Sequence, residues 1–442
     1  MTTLTADPLP KVRRRLIPFL FLLYIVAYLD RINVSFAALQ MNEDLGFSAA
    51  IYGFGAGIFF VSYVLFEVPS NLMLHRIGVR IWIARIMITW GLASSAMMFV
   101  QGTTSFYALR FILGAAEAGF FPGIILYLTR WFPAVERARA IALFMTATAL
   151  AGVIGGPVSG MLLSMDGFGG LHGWQWLFLL EGIPAVILGV AVLAWLPDSP
   201  KEATWLDRAE RDWLTARLDE EDAGKAGSAH ATFGPALRSV RLWALAWLYF
   251  SIIITFYGVS FWLPQILQSL SGQSDLQVAF LSALPYIVAA LGMVFVARHS
   301  DRTGRRAELV ALGACVGILG FAAAAMVTSP VASLAALSVA ALGIWSTLGP
   351  FWAMPPAFLR GAAAAGGIAV INSVGNIGGF AGPYIVGAAR EATGNFSAGL
   401  WVMAGCLAVG VLIAIMLARQ ENQNAGHPAP RTELPAPSGT IP

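Results

Sequence analysis

The sequence predicts an all-α membrane protein whose twelve transmembrane helices form two pseudo-symmetric six-helix bundles. The composition is 58% hydrophobic and 12% charged, with a mean hydropathy of +0.73, far from the balance of a water-soluble domain. Twelve apolar stretches are each long enough to cross a hydrocarbon core of about 30 Å, which takes about 20 helical residues. Two pieces of punctuation also recur at one offset of 226 residues. Arg76-Ile77-Gly78-Val79-Arg80 returns as Arg302-Thr303-Gly304-Arg305-Arg306, and Gly152-x-x-x-Gly156-Pro157 returns as Gly378-x-x-x-Gly382-Pro383. Two anchors sharing one offset mark an internal duplication, and a duplicated apolar chain places its function between the halves.

A cytoplasmic N-terminal tail, 1–14, precedes the first bundle, 15–196, with spans at 15–38, 50–74, 80–101, 105–129, 138–164 and 174–196. Lys11, Arg13, Arg14 and Arg15 before an apolar run resemble the start of a signal peptide. That run exceeds 20 residues and contains Asp30-Arg31, so it reads as an uncleaved first span. Residues 197–241 carry seven basic and nine acidic side chains among 45, a composition that cannot lie in lipid and reads as a solvated cytoplasmic linker. The second bundle, 242–418, has spans at 242–268, 276–298, 307–328, 331–353, 364–389 and 396–418. The stretch 419–442 is rich in Pro, Ala, Asn and Gly, lacks helical periodicity and is expected to be a disordered cytoplasmic tail.

Placing the N-terminus in the cytoplasm puts 23 of the 27 Lys and Arg residues in cytoplasmic loops, the linker or the tails, as the positive-inside rule requires. The net charge of +3 therefore reflects topology. The basic residues are scattered over short segments, so no nucleic-acid partner is expected. Cys315 and Cys406 lie in separate spans with no CxxC spacing, which argues against a disulfide or a metal site. The five histidines fall in loops, tails or helix ends without metal spacing, so no catalytic constellation is expected and the chain reads as a non-enzyme.

Gly53-Phe54-Gly55-Ala56-Gly57 looks superficially like a nucleotide loop, yet no strand precedes it and it opens a membrane span; helix packing is the better reading. The same holds for Gly152, Gly156 and Gly160, and for Gly375, Gly379 and Gly382. Small residues let backbones approach where lipid supplies no hydrophobic drive.

The informative residues are the charges that hydropathy cannot excuse: Asp30, Arg31, Glu67, Arg110 and Glu117. An ionisable group at mid-bilayer costs about 2.5–3.5 kcal/mol on insertion scales, so such groups face a partner or a wet cavity. Arg110 and Glu117 are seven apart on one helix face, about 10 Å along the axis, and their depths are compatible with Asp30 and Arg31 in a single cluster. Two guanidiniums can clamp a carboxylate through charge-assisted hydrogen bonds. Burial favours a neutral carboxyl and a neighbouring Arg a charged one, which leaves Asp30 and Glu117 able to change protonation as substrate binds. The competing reading is a set of permanent salt bridges that fix helices 1 and 4. Glu67, near Pro69 and Asn71, fits a gate or a helix cap as well as transport chemistry and is left out of the proton path.

Arg76, Gly78 and Arg80, and Asp301, Arg302, Gly304 and Arg306, occupy the short turns after helices 2 and 8. A turn glycine flanked by arginines in both halves fits ion pairs and helix-end contacts that hold an inner gate. Cytoplasmic retention of positive charge alone is the alternative.

On these motifs the chain resembles a major facilitator superfamily transporter over nearly its full length. Ser300-Asp301-Arg302-Thr303-Gly304-Arg305-Arg306 matches the family's loop motif, whereas His75 stands where the first copy needs an acid. Arg110-Phe111-x-x-Gly114-x-x-Glu117-Ala118-Gly119 and Gly152-x-x-x-Gly156-Pro157-x-x-Gly160 resemble the helix 4 and helix 5 motifs. Tyr28-Leu29-Asp30-Arg31-Ile32-Asn33, Trp174-Gln175-Trp176-Leu177-Phe178-x-x-Glu181-Gly182-x-Pro184, Leu196-Pro197-Asp198-x-Pro200 and Asn372-x-x-Gly375-Asn376 are similar to the anion:cation symporter family. That resemblance implies a major facilitator fold and proton symport of an organic anion. Arg31 and Arg110 would face the carboxylate, Asp30 and Glu117 would couple the proton, and Tyr28, Tyr63, Tyr257 and Asn372 would contact substrate. Within the family the chain looks most like bacterial carriers for tartrate or aromatic acids such as hydroxyphenylacetate and phthalate. It lacks the helix 7 arginine of vesicular glutamate carriers, having Ile252 before Thr255-Phe256-Tyr257. Tyr249, Phe256, Tyr257, Phe261 and Trp262 fit an aromatic substrate or ordinary packing.

The expectation is therefore a proton-coupled symporter that imports a small organic anion by alternating access, with no cofactor beyond the proton. An exchanger or efflux carrier of the same fold is the alternative. It is expected in the bacterial inner membrane, surrounded by lipid, functional as a monomer, and with both termini cytoplasmic. The duplication breaks at the charges: the 226-residue offset places Phe256, Tyr257 and Ala336 opposite Asp30, Arg31 and Arg110.

Overall fold

The computed structural model describes residues 7–226, 237–355 and 361–426, and nearly all of them are helical. The first half holds α1 (Leu9–Asp44), α2 (Ala49–Ile77), α3 (Val79–Ala96), α4 (Thr103–Glu117), α5 (Phe120–Thr129), α6 (Ala134–Met145), α7 (Ala147–Leu163) and α8 (Gly173–Trp195). The connection holds α9 (Arg208–Ala226). The second half holds α10 (Val240–Ser271), α11 (Asp275–Leu281), α12 (Ala283–Thr303), α13 (Arg306–Met326), α14 (Pro330–Ala353), α15 (Gly361–Thr393) and α16 (Ser397–Gly426).

Eleven stretches among the described residues are long and apolar enough to cross a membrane, in line with the multi-pass reading. The expected span 364–389 coincides with α15, whose 33 residues pack on other helices on several sides. Three expected spans are interrupted. The fourth, Thr103–Thr129, breaks between α4 and α5; the fifth breaks at Thr146, and the eighth at Ser282 between α11 and α12. The first helix starts at Leu9, inside the region read as tail, and the last runs to Gly426, beyond Arg419. Of the expected disordered tail, 427–442 lies outside the described residues.

The connection is less solvated than its charge suggests. Leu206 and Leu214 are buried, and Trp205 stacks on Trp131 with ring centres 5.7 Å apart. Lys11 pairs with Glu210 at 2.7 Å and Arg137 with Glu221 at 3.3 Å, so α9 is docked under the first half. Its remaining charges face water while Trp213 and Leu214 pack toward the bundle, the usual amphipathic division.

The halves meet along a seam formed by α2 against α15, α7 against α11 and α12, and α1 against α10. On the face remote from the linker, Gln40 Nε2 donates to Asp275 Oδ2 at 2.9 Å, Tyr52 donates to the Phe261 carbonyl at 2.8 Å, and the Ala50 amide donates to Glu391 at 3.2 Å. Glycines bring the backbones together there. A β-carbon on Gly53 would lie 2.6 Å from the Pro383 carbonyl oxygen, and one on Gly57 would lie 2.8 Å from that of Phe380. These contacts seal the far face. Nearer the linker face, the polar bonds among the described residues that cross the seam are Arg31 to Tyr257 and Asn372 to Glu67.

Candidate functional site

Glu117 owes its position to a break in the helix. Ala118 is non-helical, with φ −54° and ψ 130°, and Gly119 has φ +89°, a left-handed conformation that favours glycine. The span therefore stops at Glu117 and restarts at Phe120. The carboxylate sits at the negative end of α4, where a cation is favoured.

Arg31 supplies that cation. It pairs with Glu117, the two side chains being 11% and 1% exposed. Its Nη1 donates to the Tyr257 hydroxyl at 2.9 Å. Glu117 belongs to the first half and Tyr257 to the second, so one guanidinium spans the seam. Arg31 lies 13 residues before the end of α1, and Glu117 and Tyr257 each lie 14 residues from the far end of their helices, so all three sit about 20 Å below the far face. Tyr257 is also the residue that the 226-residue offset places opposite Arg31. The duplication's mates touch at the axis that relates them.

Aromatic rings surround this group. The Arg31 guanidinium lies 5.4 Å from the ring centres of both Phe59 and Tyr63, within cation–π range. Tyr257 packs on Phe60 at 4.3 Å, and Phe256 on Trp345 at 4.2 Å. Arg31 Nε, the Tyr28 hydroxyl and Trp345 Nε1 are buried donors without a protein partner. Tyr249 and Trp262 are committed elsewhere: Tyr249 stacks on Phe351, and Trp262 donates to the Pro383 carbonyl.

Two expected members of the cluster are displaced. Arg110 is fully buried and donates to the carbonyls of Gly55 at 3.2 Å and Ala56 at 3.0 Å, which ties α4 to α2. It sits seven residues above Glu117, about 10 Å nearer the far face, and shares only the Phe59 ring with Arg31. The small residues at 55 and 56 leave these carbonyls open to its guanidinium, so it is not part of a two-arginine clamp in this structure. Asp30 departs for a geometric reason. Consecutive helical residues point about 100° apart, so with Arg31 in the seam Asp30 turns into the first half. There it accepts from Trp90 Nε1 at 2.6 Å and Ser94 Oγ at 2.8 Å.

Asn372 is engaged by Glu67, its Nδ2 donating to Oε1 at 2.8 Å across the seam. This resolves the open reading of Glu67: it is a seam residue, not a helix cap. The turn motifs tie elements within their own halves. The Arg80 amide donates to Asp198 Oδ1 at 2.9 Å, beside the left-handed Gly78 with φ +103°, and Arg306 Nη1 donates to the Ala353 carbonyl at 2.6 Å after the left-handed Gly304. Arg76, Asp301 and Arg302 are exposed, and no ion pair joins them to another described residue. Among the described residues, no polar bond from either motif crosses the seam.

Sequence reasoning missed Phe59, Trp90, Ser94 and Glu181. The first three carry no charge to mark them. Glu181 does carry a signal, as the one acid in the 23-residue apolar helix α8.

Residues 20–383 match the family model described as Major Facilitator Superfamily. The chain is 53% identical to a protein of Agrobacterium vitis named "Putative tartrate transporter", covering 96% of this chain and 97% of the other. It is 44% identical to the "Quinolone resistance transporter" of Acinetobacter baumannii, covering 94% and 96%. Among solved structures, a bacterial homologue of the human lysosomal transporter Spinster, in an inward-facing and unoccupied conformation, aligns with a TM-score of 0.77. It shares 18% identity, with 95% of this chain and 99% of that chain covered.

Proposed function

Given that the chain belongs to the major facilitator superfamily, and is a multi-pass membrane transporter and not an enzyme, we propose that it imports a small organic anion together with protons by alternating access. Arg31 carries this reading. It is a buried cation in the seam whose counter-ion, Glu117, can itself be neutralised by a proton. An incoming carboxylate competes with Glu117 for the guanidinium. When it wins, Glu117 becomes a buried anion without a partner, a state costing several kcal/mol that protonation relieves. Anion binding and proton binding thereby favour each other.

The donors around Arg31 suit a carboxylate bearing further oxygen acceptors, and relatives named for tartrate support a hydroxy acid. The linker face, with its excess of Lys and Arg, is read as cytoplasmic and the membrane as the bacterial inner membrane. Arg110 serves as a brace for α2 and α4, Asp30 as a proton site behind the seam, and the Glu67–Asn372 bond as an inner latch. The turn motifs act as stiffeners of the cytoplasmic gate. Proteoliposomes with an imposed inward proton gradient should accumulate labelled tartrate above the level reached without the gradient; gradient-independent accumulation overturns the proposal. The relative named for quinolone resistance favours a second reading, efflux or exchange. Counterflow that proceeds at full rate but ignores a proton gradient selects it.

A further inference from the structure

The turn that takes Asp30 out of the seam places it at one end of a polar line inside the first half. Asn33, one helical turn along α1, brings Nδ2 to 3.4 Å from Asp30 Oδ1, and α1 packs along α8, which carries Glu181. Ser159 on α7 donates to Glu181 Oε1 at 2.8 Å. The members climb toward the far face: Asp30 is 14 residues below the end of α1, Asn33 11, Glu181 eight below the start of α8 and Ser159 four below the end of α7. That corresponds to depths of about 21, 16, 12 and 6 Å.

The hydrogen-bond inventory of this line is short of donors. Glu181 Oε2 and Asn33 Oδ1 are both buried, both acceptors and both without a partner, in residues 7% and 1% exposed. An unsatisfied buried acceptor is costly, and an ionised carboxylate with one hydroxyl donor more so. Among the described residues, no cation pairs with it. Asp30 is the charged group that faces Glu181 from α1, and α7 and α8 contain no other charged residue. Arg80 and Arg85 of α3 lie at that helix's opposite end, and His172, Asp44 and Asp166 form a group at the far rim, about 12 Å above Glu181.

We propose that Glu181 is a further proton-binding site of this carrier, beyond Glu117 and Asp30, and that Asn33 joins it to Asp30 so that the two carboxyls share one proton. A proton on Glu181 converts an acceptor into a donor for which Asn33 Oδ1 is an available acceptor. The Asn33 N–H bonds then go wholly to Asp30, which favours its ionised form. An ionised Glu181 draws the amide away and adds a like charge near Asp30, which favours protonation there. The line runs through the first half, so protons reach Asp30 from the far face by a route separate from the seam used by the anion. This rests on the proton-coupled reading for its role in transport, but the proton site itself does not.

Infrared difference spectroscopy of the purified carrier across a pH titration tests it directly. The expected result is a protonated-carboxyl band that Glu181→Gln removes and that Ser159→Ala, which deletes the hydroxyl bonded to Glu181, shifts in frequency. Glu181→Gln also leaves a neutral amide beside Asp30, so the half-maximal pH of gradient-driven uptake should fall by about one unit, a tenfold change in proton concentration. If the band survives Glu181→Gln, or if Glu181→Gln does not fold and Ser159→Ala leaves every carboxyl band unmoved, the site is overturned. A wild-type carrier that shows the band but ignores a proton gradient keeps the site and sinks symport instead.

Discussion

Glu117→Gln isolates the electrostatic step at the centre of the proposed cycle. Glutamine keeps the shape of the side chain and an oxygen acceptor for Arg31, so the contact survives while the counter-charge is lost. Arg31 stays charged and its bond to the amide oxygen stays charge-assisted; what it loses is the charge–charge attraction to its internal partner, about 1.5 kcal/mol at the low end of the range for close charge pairs. With Glu117 1% exposed, solvent does little to screen that attraction. The incoming carboxylate meets a weaker competitor, and its affinity should rise by about tenfold or more. Proton loading at this position becomes impossible, so counterflow should persist while gradient-driven accumulation falls to the level without a gradient. Binding is measured by titration of the purified protein with labelled tartrate, and the two transport modes in one batch of proteoliposomes. Melting temperature serves as the folding control. Equal loss of counterflow and accumulation in a well-folded variant would falsify the competition mechanism and make Arg31–Glu117 a permanent brace.

Arg110→Ala removes two hydrogen bonds from a charged donor to backbone carbonyls and should cost about 3–6 kcal/mol, seen as a large drop in melting temperature. An unchanged melt with lost anion binding would return Arg110 to the substrate clamp. Gly57→Val drives a branched side chain into the Phe380 backbone, so it should open the far-face seam and raise thiol labelling of a cysteine placed there; unaltered labelling contradicts the seal. Asn372→Asp sets a second carboxylate beside Glu67, where the present bond is 2.8 Å. One of the two must then be protonated for the latch to form, so exchange should become more acid-dependent than in the wild type, and an identical pH profile rules out the latch.

Much of this was legible from the chain because lipid makes composition a strong reporter. Span number and order, the duplication and the packing glycines all follow from apolar runs and recurring punctuation, and Gly152, Gly156, Gly379 and Gly382 each abut another helix. The buried charges were legible for the same reason, since a charge in an apolar helix needs a partner. Their partners were not. Arg110 and Glu117 share a helix face, which points to a shared cavity, yet the break at Gly119 and the open carbonyls at Gly55 and Ala56 send them to different neighbours.

By itself, then, the sequence determined which residues have to be reconciled with a membrane: two apolar halves, their shared punctuation, and a small set of charges in the first half only. The tertiary structure decided which of those charges meet. A one-residue step along α1 divides Arg31, in the seam against Tyr257 and Glu117, from Asp30, inside the first half on the line toward Glu181. Helical spacing fixes an angle of about 100° between them but not the direction in which either points. That direction is set by packing between helices far apart in sequence, through the approach of α2 to α15 and of α1 to α3, α8 and α10, and no local pattern encodes it.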